Sequence, residues 1–364
     1  MRITLVAGAR PNFMKIAPII HEIDRVKKQR NGLTYRLVHT GQHYDDKMSQ
    51  SFFRDLNIPS PDVNLNAGGG SQAEQTGAIM VGFEKDLLNN PCDILIVVGD
   101  VTSTLACSIV AKKAGVLVAH VEAGIRSGDL SMPEEINRMV TDSITDFFFT
   151  TSQLASEKLR NLGILEERIY FVGNTMIDTL IKNISNLRKP EFYDELGLKN
   201  GNYLVLTLHR PANVDEEYKL KQTLEAIEQS ADGMPVLFPL HPRTKTIIDR
   251  LGLSETNLIF VAPLGYLEFN YLVRHSKGVI TDSGGITEET TFMGVPCLTL
   301  RDNTERPETI DIGTNELVGT DPSKIRPFLE KLISNDWKKG GIPPLWDGAT
   351  SKRIVEALLN LDLT

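Results

Sequence analysis

Val279-Ile-Thr-Asp282-Ser-Gly-Gly-Ile-Thr-Glu-Glu289 is the stretch on which the reading of this chain turns. A short apolar run enters Asp282, Ser283, Gly284 and Gly285, and a helix with two early acids follows. Glycines where a strand gives way to a helix leave bare backbone that a ligand can approach. The free N–H groups and positive dipole end of the helix then offer a seat for phosphate. Glu288 and Glu289 are expected in the first helical turn, where they can complement the dipole or reach hydroxyls attached to that phosphate. Ordinary helix capping explains the same residues about equally well, so the rest of the chain has to decide.

The segment is one of a series. Ile3–Val6, Tyr35–His39, Ile94–Val98, Leu117–Val121 and Phe147–Phe149 read as strands. Between them Ile16, Ile19, Ile20 and Ile23, and then Leu105, Ile109 and Val110, recur at helical spacing. The pattern restarts with Tyr203–Leu208, Val236–Leu240, Leu258–Val261, Gly278–Thr281 and Pro296–Leu300, with helices such as Leu220–Ile227 between them. The polar segment Asn183–Asn202 separates the two sets. Such alternation is that of an α/β protein with parallel sheets. It predicts two Rossmann-like domains facing a central cleft, residues 1–172 and 173–349, with a final helix near Ser351–Leu359, within 350–364, packing back on the first. Gly68-Gly-Gly70 reads as a surface loop rather than a phosphate cradle, because no clear strand precedes it.

Bulk properties bound the function. A chain of 364 residues is long enough for two domains, and 41% hydrophobic with 24% charged residues is a soluble globular composition. Apolar runs such as Ile94–Val98 are strand-length and too short to span a membrane. The opening Met1-Arg-Ile-Thr-Leu-Val6 runs directly into a strand, so no signal peptide is expected. Cys92, Cys107 and Cys297 have neither pairing nor metal-type spacing, which predicts a reduced, cytoplasmic setting and no metal. A net charge of −8 argues against a general nucleic-acid binder and leaves room for local basic pockets. Walker, G-x-G-x-x-G and H-E-x-x-H motifs are absent from the sequence.

Ligands of open α/β sheets bind beyond the carboxyl ends of strands. Polar clusters stand at five such ends. The first strand runs into Gly8-Ala-Arg10-Pro11, with Lys15 a turn into the next helix; Ile94–Val98 runs into Gly99-Asp100, then Thr102-Ser-Thr104. Leu117–Val121 ends in Glu122-Ala-Gly124 and Arg126, ahead of Met132-Pro133-Glu134-Glu135, where Pro133 suits a first helical position. Tyr203–Leu208 ends in His209-Arg210, and Val236–Leu240 in His241-Pro242-Arg243. Each has a plainer explanation. Asp100 can cap the next helix, Glu134 can pair with Arg138 at i,i+4, and His241 can shape a turn. His209, between a strand and Arg210-Pro211, is poorly suited to a core. Together the five strand ends outweigh the separate explanations.

These residues carry a resemblance over essentially the whole chain. Gly8-Ala-Arg10-Pro11 with Lys15, Gly41-Gln-His43, Gly99-Asp100, His120-Val-Glu122-Ala-Gly124-Ile-Arg126, Pro133-Glu134-Glu135-Ile-Asn137-Arg138, Gly173-Asn-Thr175, His209-Arg210, Asp282 to Glu289 and Thr304-Glu-Arg306-Pro-Glu308 occur in order. The sequence resembles the non-hydrolysing UDP-N-acetylglucosamine 2-epimerases. The resemblance implies a GT-B-like fold, a homodimer, no cofactor, and a UDP-sugar as partner. It also implies inversion of the acetamido-bearing carbon by elimination of UDP to a glycal, then re-addition. Asp100, Glu122 and Glu134 would be the acid–base carboxylates, assisted by His209. Arg10, Ser283, Gly284 and Gly285 would hold phosphates, Phe269 the uracil and Glu289 the ribose. Lys15, Arg138, His241 and Arg306 would complete the substrate site.

The chain departs from the best-known members in reading Ala9 and Asn12 in the first loop, Val101-Thr-Ser-Thr104 after Asp100, a shorter Gly128–Met132 segment, and Pro211-Ala-Asn213 after His209-Arg210. The first loop and Gly41-Gln-His-Tyr-Asp45 also resemble relatives acting on UDP-2,3-diacetamido-glucuronic acid. Substrate identity therefore stays open, as does an allosteric site to which Gln42 would belong. A GT-B glycosyltransferase, a hydrolysing epimerase and a UDP-sugar sensor are the alternatives. The acids Asp100, Glu122 and Glu134 are more than the first of these needs.

Overall fold

The computed structural model describes residues 1–41, 53–214, 216–240, 242–251 and 257–361. His241, Gln42 and His43 lie outside the described residues. The chain forms two compact units, Met1–Lys182 with Pro344–Thr364, and Asn183–Pro343.

The first unit is built on β1 (Arg2–Ala7), β2 (Thr34–His39), β3 (Val63–Asn64), β4 (Ile94–Val98), β5 (Leu117–Val121), β6 (Phe147–Thr150) and β7 (Ile169–Phe171). All pair in parallel, in the order β3-β2-β1-β4-β5-β6-β7. Parallel strands are covered on both faces, which is why β4 is a continuous apolar run and buried throughout. The helices are α1 (Arg10–Lys27), α2 (Gln72–Asn89), α3 (Thr102–Lys113), α4 (Pro133–Ile144), α5 (Gln153–Asn161), α6 (Thr175–Asn183) and, from the chain's end, α11 (Thr350–Leu359). Ile16, Ile19, Ile20 and Ile23 form the fully buried stripe of α1. Asp178 on α6 accepts from the Thr350 and Ser351 N–H groups, so the start of α11 is capped by a carboxylate of this unit.

One expectation is met and one needs correction here. Leu105, Ile109 and Val110 lie on helix α3, as their spacing predicts, with Leu105 and Ile109 only partly buried; the helix turns Ala106, Cys107, Val110 and Ala111 inward. Small residues let α3 sit close to its neighbours α2 and α4. The loop Gly68–Gly70 is exposed, as expected, yet a strand does precede it: β3, whose two residues pair with β2. Two residues are too few to give an alternation that can be read in advance.

The second unit has β8 (Leu204–Thr207), β9 (Val236–Pro239), β10 (Leu258–Val261), β11 (Gly278–Thr281), β12 (Cys297–Thr299) and β13 (Asn315–Leu317), all parallel, in the order β10-β9-β8-β11-β12-β13. Helices α7 (Glu217–Ser230), α8 (Tyr266–His275), α9 (Gly284–Met293) and α10 (Ile325–Ile333) lie among them. One core packs Leu204, Leu206, Leu220, Leu224, Phe238 and Leu329, and another packs Tyr203, Val205, Leu237, Leu272 and Val279. Alternate residues of β8 thus feed opposite faces, as period-2 geometry requires.

Strand order reverses between β1 and β4 in the first sheet, and between β8 and β11 in the second. Ligand sites of open α/β sheets form at such switch points. The carboxyl ends there are Gly8–Arg10 and Gly99–Asp100 in the first unit, and His209–Arg210 and Asp282–Gly284 in the second.

Candidate active site

At the first switch point Asn12 ties the two strand ends together. Its amide donates to the Val98 carbonyl at 3.0 Å, and its oxygen accepts from the Gly8 and Ala9 N–H groups at 3.3 and 3.0 Å. Lys15, one turn on, reaches the Glu122 carboxylate at 2.7 Å. The pair is nearly dry, with 12% and 2% of the side chains exposed. Removing one partner of such a pair leaves a buried charge and costs about 3–5 kcal/mol. Gly99, at φ +70, carries no side chain where Lys15 Nζ would stand 3.2 Å away. Arg10 is the first residue of α1, and burial pulls its guanidinium below the ordinary range.

Glu122 itself has φ +70, a left-handed backbone that costs a non-glycine residue on the order of 1 kcal/mol. Its surroundings fix it there. Its N–H donates to Phe149 O at 2.9 Å. On either side, the buried Asp142 carboxylate accepts from His120 Nδ1 at 2.7 Å and from the Gly124 N–H at 3.0 Å, and pairs with Arg126 at 2.7 Å. These cations and donors outweigh desolvation and hold Asp142 below the usual carboxylate range. His120 Nε2 lies 2.8 Å from the Gly99 carbonyl.

Helix α4 supplies the other contacts. It begins at Pro133 and buries a polar stripe, Glu135, Asn137, Arg138, Thr141 and Asp142, while Ile136 and Met139 are exposed. Asn137 donates to Asp100 O at 2.8 Å, and Arg138 pairs with the Asp100 carboxylate. Arg138 also meets Glu135 at 3.1 Å, and Glu135 accepts from the Ser127 and Gly128 N–H groups, which hold it below its ordinary value despite burial. Asp100 is therefore no helix cap: α3 is capped at Val101 without a side chain, and the carboxylate turns to Arg138. Glu134 sits partly exposed in the first turn of the same helix.

In the second unit the fully buried Asp282 plays the organising part. Its carboxylate accepts from the His209 and Arg210 N–H groups at 3.0 and 2.9 Å and from the Asn213 amide at 3.0 Å. It also lies 2.6 Å from His209 Nδ1, so the imidazole is fixed at one edge while 62% of that side chain stays exposed. This set holds Asp282 below the usual range although it is buried.

Ser283 is the N-cap of α9 but its hydroxyl does not cap the helix, and Ser283, Gly284 and Gly285 are partly exposed. Side-chain capping by Ser283 therefore does not account for this segment, and the helix start presents backbone N–H groups of the kind that can meet an anion. A Cβ on Gly284 would meet only Glu305 Oε2 at 3.5 Å and Arg301 Nη1 at 3.8 Å. Arg301 holds Glu305 through bonds of 2.9 and 2.7 Å, and Arg210 lies 3.6 Å from the same carboxylate. Glu288 and Glu289 do not lie in the first turn. The helix starts at Gly284, which puts both in the second turn and buries them. Glu288 pairs with Arg306; Glu289, beside Tyr266 and Asn270, is pushed up to about 7 by burial. Phe269, on α8, is partly buried against the cluster containing Leu272 and Val273.

The structure thus groups Lys15, Glu122, Asp100 and Arg138 at one switch point, and His209, Ser283, Gly284 and Gly285 at the other. Asn12, Asn137, Asp142, Arg301 and Glu305 were not anticipated as parts of the site. Their signal was faint: Asp142 shows only as one of several charged residues on a helix whose apolar residues face outward. Among the described residues no helix is long and apolar enough to cross a membrane.

Two parallel sheets, each doubly wound with a switch point, define the GT-B-like class of α/β proteins. The family description for UDP-N-acetylglucosamine 2-epimerase matches residues 25–359. UDP-N-acetylglucosamine 2-epimerase of Methanocaldococcus jannaschii is 38% identical over 98% of this chain and 99% of its own. UDP-2,3-diacetamido-2,3-dideoxy-D-glucuronate 2-epimerase of Pseudomonas aeruginosa is 38% identical over 99% of this chain and all of its own. The crystal structure of the M. jannaschii UDP-GlcNAc 2-epimerase in complex with UDP-GlcNAc and UDP matches with a TM-score of 0.87 at 39% identity, over 99% of both chains. The chain belongs to the UDP-N-acetylglucosamine 2-epimerase family, and it is an epimerase.

Proposed function

We propose that this protein interconverts UDP-GlcNAc and UDP-ManNAc. The second unit holds UDP: the α9 start and Ser283, Gly284 and Gly285 take the diphosphate, with Phe269 at the uracil, Glu289 at the ribose, His209 assisting at the diphosphate or sugar, and His241 and Arg306 completing the substrate site. The first unit performs the proton transfers with Asp100, Glu122 and Glu134, with Lys15 beside Glu122 and Arg138 beside Asp100, and contributes Arg10 to the phosphates. One carboxylate takes the C2 proton, the C–H pair becomes a C1=C2 double bond, and the C1–O bond to UDP breaks. A second acid then returns a proton to the opposite face of C2 as UDP re-adds to C1. The observation that carries this is the dry Lys15–Glu122 pair beside Gly99–Asp100. Proton transfer at a weakly acidic carbon needs carboxylates held in position, and the buried Glu122 beside Lys15 with the partly buried Asp100 beside Arg138 supply them. No redox step is involved. The protein would act as a cytoplasmic homodimer.

Equal identity to the P. aeruginosa relative favours a second reading, a UDP-2,3-diacetamido-glucuronate epimerase. Proton NMR of each sugar nucleotide with the protein distinguishes them. Inversion at C2 of UDP-GlcNAc supports the first reading; inversion of the uronate alone replaces it; inversion of neither overturns both.

A further inference from the structure

We propose that Asp142, acting through His120, is the positioning residue that sets Glu122 and the Gly99–Asp100 turn relative to one another. The inference rests on the acid–base roles given above to Glu122 and Asp100. Glu122 sits in a left-handed backbone that its residue type disfavours, so something must hold it. Asp142 grips the chain two residues before it, at His120, and two residues after it, at Gly124. Arg126 adds a third hold on the same carboxylate. The far nitrogen of His120 meets the carbonyl of Gly99, the residue before Asp100. Both partners of the ring, a carboxylate and a backbone carbonyl, can accept a hydrogen bond from it. A single buried path, Asp142–His120–Gly99, therefore connects the two carboxylate-bearing turns, and every group on it is at most 3% exposed or backbone. None of these groups reaches Lys15 or the Asp100 carboxylate in any bond described above; the path acts only on position.

A plain structural staple would stabilise the unit and affect nothing else. A positioning path instead alters turnover, because displacing reacting groups by about 1 Å costs on the order of 100-fold.

The test compares wild-type protein with D142N, H120Q, H120N and the D142N/H120Q double variant. The glutamine amide in H120Q can keep the N–H toward Gly99, and the shorter asparagine amide in H120N the N–H toward Asp142, so each breaks one link of the path. Each single variant should lower kcat about 100-fold. KM for the sugar nucleotide and the UDP Kd, which depends on the second unit, should stay within about threefold, and the double variant should be no slower than the slower single one. Wild-type kcat in D142N overturns the proposal, as do additive losses or a fall in UDP affinity matching the fall in kcat. If D142N fails to fold, H120Q and H120N decide: slow turnover with intact UDP binding upholds the path, and wild-type kcat in both overturns it. Wild-type protein inverting neither sugar nucleotide overturns the functional reading itself, whatever Asp142 does.

Discussion

Gly284→Ala separates binding from folding at the proposed anion seat. A methyl group at Gly284 meets nothing closer than 3.5 Å, so it fits without displacing any neighbour. Gly284 is the first residue of α9 and does not have a positive φ, so alanine adopts the same backbone. Replacing glycine at a compatible site raises stability by about 0.4–1 kcal/mol through the unfolded chain. For a domain of this size that amounts to a rise of about 1–4 °C in Tm. Ligand binding should move the other way. If the diphosphate lies against the backbone at the helix start, the methyl displaces it from one or more charge-assisted hydrogen bonds. Each contributes about 1.5–3 kcal/mol, which is roughly a tenfold to hundredfold rise in the UDP Kd. Calorimetric titration with UDP, paired with a thermal melt, reads both. An unchanged Kd would refute bare backbone as the phosphate contact. A weaker Kd with a lower Tm would mean the residue is merely structural.

Three further outcomes are expected. Gly124→Ala places a Cβ 2.3 Å from the Ala155 carbonyl at φ +76; strain and overpacking together should cost about 2–5 kcal/mol, and a melt unchanged within about 1 °C would contradict the packing of β5 on α5. Glu289 is raised to about 7, so the folded form binds a proton more tightly than the unfolded chain does. Its contribution is full below about 4.5 and is lost as pH rises through about 7, by on the order of 3 kcal/mol. Glu289→Gln should therefore flatten that loss in urea titrations from about pH 5 to 8, and an equally steep profile would sink the argument. Lys15→Met should cut turnover at least about 100-fold with UDP binding retained, since it strands the Glu122 charge; wild-type kcat would remove the pair from the chemistry.

The long parallel strands were legible because burial on both faces writes continuous apolar runs: Ile94–Val98, Leu117–Val121, Leu258–Val261 and Gly278–Thr281 begin and end where the structure has them. Strand ends then located Asp100, Glu122, His209 and Asp282, because chain reversal at a sheet edge follows from βα alternation alone. Edge strands β3, β7 and β13, of two or three residues, carry too few side chains to show a period. Asp142 was illegible for a different reason. Helix α4 turns charge inward and Ile136 and Met139 outward, the reverse of the pattern by which buried helix faces are recognised. Glu288 and Glu289 were assigned a turn too early because the helix begins already at Gly284, so four helical residues precede Glu288.

Proton removal and return at C2 by the first unit's carboxylates is tested most directly by turnover in D2O. UDP-GlcNAc and UDP-2,3-diacetamido-glucuronate are each incubated with wild-type protein and with Glu122→Gln, and the product is read by proton NMR and mass spectrometry. Wild-type protein should place one deuterium at C2 of the inverted product. Glu122→Gln should give no inversion while its UDP binding stays within about threefold of wild type, because the proposed UDP seat is built from other residues. Inverted product that keeps its original hydrogen at C2, or wild-type turnover by Glu122→Gln, would contradict the mechanism.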